Sequence, residues 1–306
     1  MIPVLLQTLP FFALIGLGYG AGRSGFFGPE ATAALTKFVF YFALSAMLFR
    51  FAASLSLAEI WSPRFVLAYL LASGAVYGTV TAIAWARGTG AATAAIEAQC
   101  SVIGNVGFLG IPLLAILLGP AAVGPTLMVL ATDLIVFGSL VVIVITGSRG
   151  RLSPAILLTV GKGLLANPMI VSITLGLIVS AGGLTVPGPA ESFLATLGAA
   201  ATPGALFAIG ASLAHLPFDR PAVAGWLTTL KLLVHPAAVA AACIWLEVPA
   251  PGAAVMVAAA ALPVAGNIYI LAAHYRVAPA RASAAILVSH VLAVLTVPAW
   301  VALLSP

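Results

Sequence analysis

Ten apolar runs of about twenty residues or more lie between residue 3 and residue 304, and a run of that length is what a helix needs to cross a roughly 30 Å hydrocarbon core. They sit near residues 3–22, 32–55, 65–86, 91–118 and 121–147, then near 164–183, 190–214, 221–246, 251–275 and 280–304. Hydrocarbon offers no hydrogen bonds, so each run has to satisfy its own backbone, which a helix does. Only 6% of the residues are charged, against about 25% in a soluble globule, and the mean hydropathy is +1.21. The expected fold class is therefore an all-α polytopic membrane protein embedded in a lipid bilayer.

Two of the runs are poor recipes for continuous helix. The first, residues 91–118, carries Gly104, Asn105, Gly107, Gly110 and Pro112 at its centre. Glycine weakens a helix interior, and Pro112 has no N–H and clashes with the carbonyl four residues back, so the backbone is expected to unwind between Asn105 and Gly110. The second, residues 252–275, is interrupted by Pro263, Gly266 and Asn267, with its Gly-Asn pair 162 residues after the first. Unwound backbone at membrane depth is tolerated only against protein or a water-filled cavity. Two breaks at matching places in two halves point to a solute site, with all eight of these residues except Gly104 as binding candidates. Asn105 and Asn267 each offer a donor and an acceptor beside freed backbone.

Lysine and arginine set the orientation. With the N-terminus outside the cytoplasm, cytoplasmic loops hold Arg23, Lys37, Arg87, Arg149, Arg151, Lys162, Arg220, Arg276 and Arg281, against Arg50 and Arg64 on the other side. Both termini are then expected outside, and five spans per half bring the second half in inverted. The halves are residues 1–147 and 164–306, joined by a cytoplasmic linker over 148–163. At an offset of 158, Pro10 falls on Pro168, Leu17-Gly18 on Leu175-Gly176, Gly25 on Gly183, and ALSAMLFRFAASL (43–55) on ATPGALFAIGASL (201–213).

The basic residues are single and scattered, which excludes a nucleic-acid surface despite the net charge of +5. Cys100 and Cys243 fall inside apolar runs and read as buried small hydrophobes. Residues 1–22 have no basic leader ahead of the apolar stretch, so they read as a retained span.

The intramembrane polar residues carry the chemistry. Asp133 lies mid-span, where a carboxylate costs several kcal/mol unless neutralised, paired or hydrated, which makes it the first candidate for ion or proton coupling. At an offset of 157 it falls on His290, whose titration range suits proton transfer. Lys231 and His235 are one helical turn apart and share a face; they can attract an anion or pair with Asp133, or Lys231 can snorkel to the interface. Glu97, ten residues after Arg87, reads as a solvated side chain at a helix end. Thr132, Ser101 and Ser289 are further candidate hydroxyl partners, against which stands the habit of such side chains of bonding their own helix backbone.

GNVGFLGIPLL (104–114), LLANPMIVSITLGL (164–177), ATPGALFAIGASLA (201–214), KLLVHP (231–236) and ALPVAGNIYILA (261–272) resemble the auxin efflux carrier family, which is similar to plant PIN-type auxin carriers and distantly to bile acid/sodium symporters. The resemblance implies ten helices as two inverted five-helix repeats with crossed broken helices. It implies elevator-type alternating access, with a scaffold from 1–56 and 164–216 and a transport core from 65–147 and 221–306. It also implies a bacterial inner-membrane carrier of a malonate-, malate- or auxin-like organic anion, coupled to H+ or Na+, with a homodimer left open and no cofactor or metal. Ser45 stands where the family pattern has proline, so the kink of the second span is in question. A membrane enzyme fits poorly, because neither HExxH nor GxSxG occurs. A non-transporting receptor for the same anions is the other alternative, with an intramembrane hydrolase behind it.

Overall fold

The computed structural model describes residues 2–55, 62–149, 155–216 and 220–304, and its regular elements are all helical. In chain order they are α1 (Ile2–Arg23), α2 (Pro29–Ala53), α3 (Pro63–Ala86), α4 (Ala91–Val102), α5 (Val106–Leu117), α6 (Pro120–Gly147), α7 (Ala155–Leu165), α8 (Pro168–Ala181), α9 (Gly188–His215), α10 (Pro221–Trp245), α11 (Ala250–Ala260), α12 (Asn267–Tyr275) and α13 (Pro279–Leu304). Pro29, Pro63, Pro168, Pro221 and Pro279 each open a helix, where a missing N–H costs nothing and φ is already helical. Ser62 and Asn167 cap their helices by accepting from the amides of Phe65 (3.3 Å) and Met169 (3.0 Å).

Among the described residues seven helices, α1, α2, α3, α6, α9, α10 and α13, are long and apolar enough to cross a bilayer. The end of α7 and α8 together make an eighth candidate, bent by 69°. The bend falls near the start of the apolar run at 164–183: Pro168 lacks the amide that would continue α7, and Asn167 caps a new helix instead. Large apolar side chains such as Leu17, Ile178 and Ile244 point outward, as on a surface that meets lipid. Cys100 and Cys243 are buried and free. Arg151, one of the nine cytoplasmic basic residues, lies outside the described residues.

Two helix pairs pack at backbone distance. A Cβ on Gly18 of α1 would collide with the carbonyl of Phe207 and the amide of Ala211 on α9. A Cβ on Gly176 of α8 would lie 2.6 Å from the carbonyl of Phe49 and 3.0 Å from the amide of Ala53 on α2. Gly18 and Gly176, Phe49 and Phe207, and Ala53 and Ala211 are pairs at the offset of 158 found in the sequence, so corresponding residues build both contacts. Without a hydrophobic drive between helices in lipid, such close van der Waals packing is what holds them.

Near Ser45 the second span departs from regular α-helix without proline. Residues Val39–Ala43 of α2 form a π-helical turn, and the Ser45 hydroxyl donates to the Phe40 carbonyl at 3.3 Å, five residues back. Similar π turns lie inside α6 (Asp133–Phe137) and α10 (Leu230–Val234) and open α5 (Val106–Gly110). Three of the four contain or adjoin a residue singled out from the sequence: Asn105, Asp133 and Lys231.

Candidate functional site

The two interrupted segments meet in the interior. Between α4 and α5 the chain unwinds over Ile103–Asn105, and between α11 and α12 over Ala261–Gly266. The Asn105 amide donates to the Pro263 carbonyl at 2.8 Å and the Ala265 amide to the Ile103 carbonyl at 3.1 Å, so Gly104 and Val264 form a short antiparallel bridge. Each break thus satisfies part of the other's backbone, as polar groups away from water require.

The first break is shorter than the sequence suggested. Unwinding was expected through Gly110, but Val106–Gly110 is wound as a π turn, with the amides of Leu109 (3.1 Å) and Gly110 (2.9 Å) both donating to the Asn105 carbonyl. The wider turn accommodates Pro112 without disrupting the helix, and Pro112 then opens the regular part of α5. Asn105 itself has φ −76 and ψ 56, an inverse γ-turn closed by the Val106 amide on the Gly104 carbonyl at 2.8 Å.

At the second break, Pro263 cannot donate, and the bond a continuous helix would make from the Val264 amide to the Ala260 carbonyl is split. The Val264 amide donates to Ser289 Oγ at 3.0 Å, while the Ala260 carbonyl accepts from the ammonium of Lys231. Lys231 has no solvent exposure, which rules out snorkelling. Its Nζ also lies 3.5 Å from His235 Nδ1 and 3.3 Å from where a Cβ on Gly104 would stand. His235 Nδ1 faces the Lys231 nitrogen and its Nε2 lies 2.9 Å from Ser73 Oγ, so the ring links α10 to α3. Pro236 deprives the Leu232 carbonyl of its helical donor, and the Trp300 indole supplies one at 2.8 Å, which anchors this stretch of α10 to α13.

Beside this chain of contacts, Tyr69 donates to Asp133 Oδ1 at 2.8 Å, and its ring packs edge-on against His235 at 6.0 Å between centroids. Asp133 is buried, and its Oδ2 has no protein partner. Tyr69 and Ser73 were missed by the sequence reading. The available signal was spacing: Tyr69, Ser73 and Tyr77 recur every fourth residue, one polar stripe on an otherwise apolar helix. Tyr77 continues it by donating to the Ala95 carbonyl at 3.4 Å.

The other candidates divide. Asn105 is 2% exposed, and its side-chain Nδ2 finds no partner. Gly107 and Gly110 are buried, facing Met169 of α8 and Leu262 respectively. Pro263 is buried at the crossing and Pro112 is half-buried. Gly266 and Asn267 differ: a Cβ on Gly266 would meet nothing within 4 Å, and Asn267 is exposed. His290 bonds its own helix through Nδ1 to the Ile286 carbonyl at 2.8 Å and leaves Nε2 unpartnered. Ser101 and Thr132 bond back to Glu97 (3.0 Å) and Met128 (2.8 Å). Glu97 corrects its reading: it has no solvent exposure and is ion-paired to both Arg87 and Arg281, because the start of α13 folds over the helix end that was read as solvated.

Comparison with known proteins adds the decisive observation: a family model described as membrane transport protein matches residues 3–301. The chain belongs to that family, the auxin efflux carriers. The chain is also 29% identical over 302 residues to a Rhizobium meliloti (strain 1021) protein named "Putative malonate transporter", a match covering 95% of this chain and 92% of that protein. The crossing therefore lies in the interior of a membrane transporter.

Proposed function

We propose that this family member is a secondary transporter of a small organic anion of the malonate or malate kind, working by elevator-type alternating access. The observation that carries the reading is the crossing itself. It brings the buried Lys231 nitrogen, a partnerless asparagine amide and two interrupted helices to one place in the interior, which is a setting suited to a carboxylate. The name of the Rhizobium relative supports a dicarboxylate.

The architecture behind it is ten spans in two inverted repeats, with both termini outside the cytoplasm in a bacterial inner membrane. The helix contacts at the offset of 158 support the repeat. A scaffold of α1, α2, α8 and α9 flanks a core of α3–α6 and α10–α13, and the core carries the site. Asp133 couples the cycle, because a carboxylate in low dielectric is either protonated or accompanied by a cation, and occupancy changes the cost of carrying it across.

Uptake of radiolabelled malonate and malate into vesicles of purified protein, under imposed proton and sodium gradients, tests the function. Asp133→Asn should retain exchange and lose gradient-driven accumulation. Accumulation by the variant with unaltered ion dependence would assign Asp133 a structural role.

A further inference from the structure

On helices that take no part in the crossing, α2, α8 and α9 leave a surface groove of about 310 Å³ between them. Phe42 of α2, Leu175 of α8 and Phe193 of α9 line it, and each is at least half exposed. On α2 the lining runs from Tyr41, the middle residue of Pro29–Ala53, to Phe49, next to Arg50. A helix rises about 1.5 Å per residue, so Tyr41 to Arg50 covers about 14 Å, close to half of a roughly 30 Å hydrocarbon core. The groove is therefore one leaflet deep. At its end stand Arg50 and Glu191, one turn beyond Ala46 on α2 and one turn before Leu194 on α9, both of which line the groove. The two side chains are ion-paired, but the bonds from Arg50 Nε (2.7 Å) and Nη2 (2.5 Å) end on the same oxygen, Glu191 Oε1. With the side chains 33% and 42% exposed, Glu191 Oε2 and Arg50 Nη1 are left for another partner.

We infer that this groove binds one phospholipid with a zwitterionic, primary-ammonium headgroup. An acyl chain lies along the groove from Phe49 toward Tyr41, the phosphate accepts from Arg50 Nη1, and the ammonium donates to Glu191 Oε2. Such a headgroup meets both signs of the pair at once. An anionic headgroup offers the phosphate alone and sets it beside the Glu191 carboxylate with nothing for Oε2 to accept. Lipid tails are as apolar as the side chains they meet, so the groove chooses little among chains and selectivity falls to the charged end. A second copy of this chain is the other occupant an apolar face admits. A partner helix would run the whole span, however, whereas the groove stops at mid-span and ends in two charges. The inference stands apart from the transport reading, since none of these residues belongs to the crossing.

The test is thermal unfolding of the purified protein in detergent with phosphatidylethanolamine or phosphatidylglycerol added at equal mole fraction, for the wild type, Glu191→Gln and Ser172→Trp. The wild type should gain a few degrees more from phosphatidylethanolamine, because a ligand that binds only the folded state stabilises it by mass action. Glu191→Gln keeps the size of the side chain, removes the charge that meets the ammonium, and should lose the preference. Ser172→Trp fills the groove from α8 and should weaken the response to both lipids. Equal responses of the wild type to the two lipids, a preference retained in Glu191→Gln, or an undiminished response in Ser172→Trp would each overturn the assignment. Should Ser172→Trp fail to fold, the wild type and Glu191→Gln decide by themselves, since that exposed carboxylate changes without disturbing the interior. Native mass spectrometry of the same samples should show one retained phosphatidylethanolamine per chain. A lipid-free dimer that Ser172→Trp splits would instead give the groove to a second copy and refute the lipid site.

Discussion

The two interrupted segments share a Gly-Asn pair and a nearby proline, yet their breaks are satisfied in opposite ways. The first is satisfied by backbone: an inverse γ-turn at Asn105, a π turn to Gly110 and bonds to the partner strand close nearly everything locally. The second is satisfied by side chains from a distance, with Lys231 on the Ala260 carbonyl and Ser289 on the Val264 amide. The two Gly-Asn pairs accordingly have different surroundings. Gly104-Asn105 lies in the crossing, where its partner is Val264, two residues short of Gly266. Gly266-Asn267 opens α12 and faces open space. The same dipeptide can thus serve as a crossing or as a helix start, depending on which carbonyls the tertiary fold leaves without donors.

Substitutions that treat the two breaks alike should expose this difference. The largest effect is expected from Gly104→Val, because its Cβ alone would stand 3.2 Å from the Ala259 carbonyl and 3.3 Å from Lys231 Nζ. Overpacking there should cost about 3 kcal/mol, read as a lowered midpoint in denaturant or heat. Ser289→Ala should follow, at about 2 kcal/mol, since it leaves the Val264 amide buried without an acceptor. A loss no greater than that of an exposed surface serine would show that the second break does not depend on α13.

Binding sharpens the comparison further. Asn105→Ala should lower anion affinity about tenfold, or about 1.4 kcal/mol, with little change in melting, because the amide nitrogen it removes has no protein partner. Asn267→Ala should have a smaller effect on the same titration, and equal losses in the two variants would place both asparagines on the ligand. The smallest effect belongs to Gly266→Ala. With helical backbone (φ −63, ψ −27) and nothing within 4 Å of the added methyl, it should be neutral or stabilise by at most about 1 kcal/mol. A loss comparable to that of Gly104→Val would remove the distinction between the breaks.

Much of this was legible in the residues. The apolar runs mark the long helices because hydrocarbon thickness sets a minimum length, and Pro263 with the glycines marks the breaks because the missing N–H is a local property. The site was less legible. Asp133 and Lys231 stood out as charges in apolar runs, but Tyr69 and Ser73 did not, since a tyrosine or serine in a membrane helix is unremarkable without its partner. Glu97 was misread because sequence distance to Arg87 suggested a loop, whereas Arg281, 184 residues away, encloses it.

By itself the sequence determined that the chain is helical and membrane-embedded, where its two central helices are interrupted, and which few charges must be accounted for inside. Those are consequences of single-residue chemistry in a solvent that offers no hydrogen bonds. Only the tertiary structure decided which freed carbonyl meets which donor, that Gly104 rather than Gly266 lies at the crossing, and that Lys231 points inward to Ala260. The physical reason is that lipid is as apolar as the protein core, so the face a membrane helix turns inward is only weakly written in its hydrophobic pattern and is settled by packing and hydrogen bonding with distant helices.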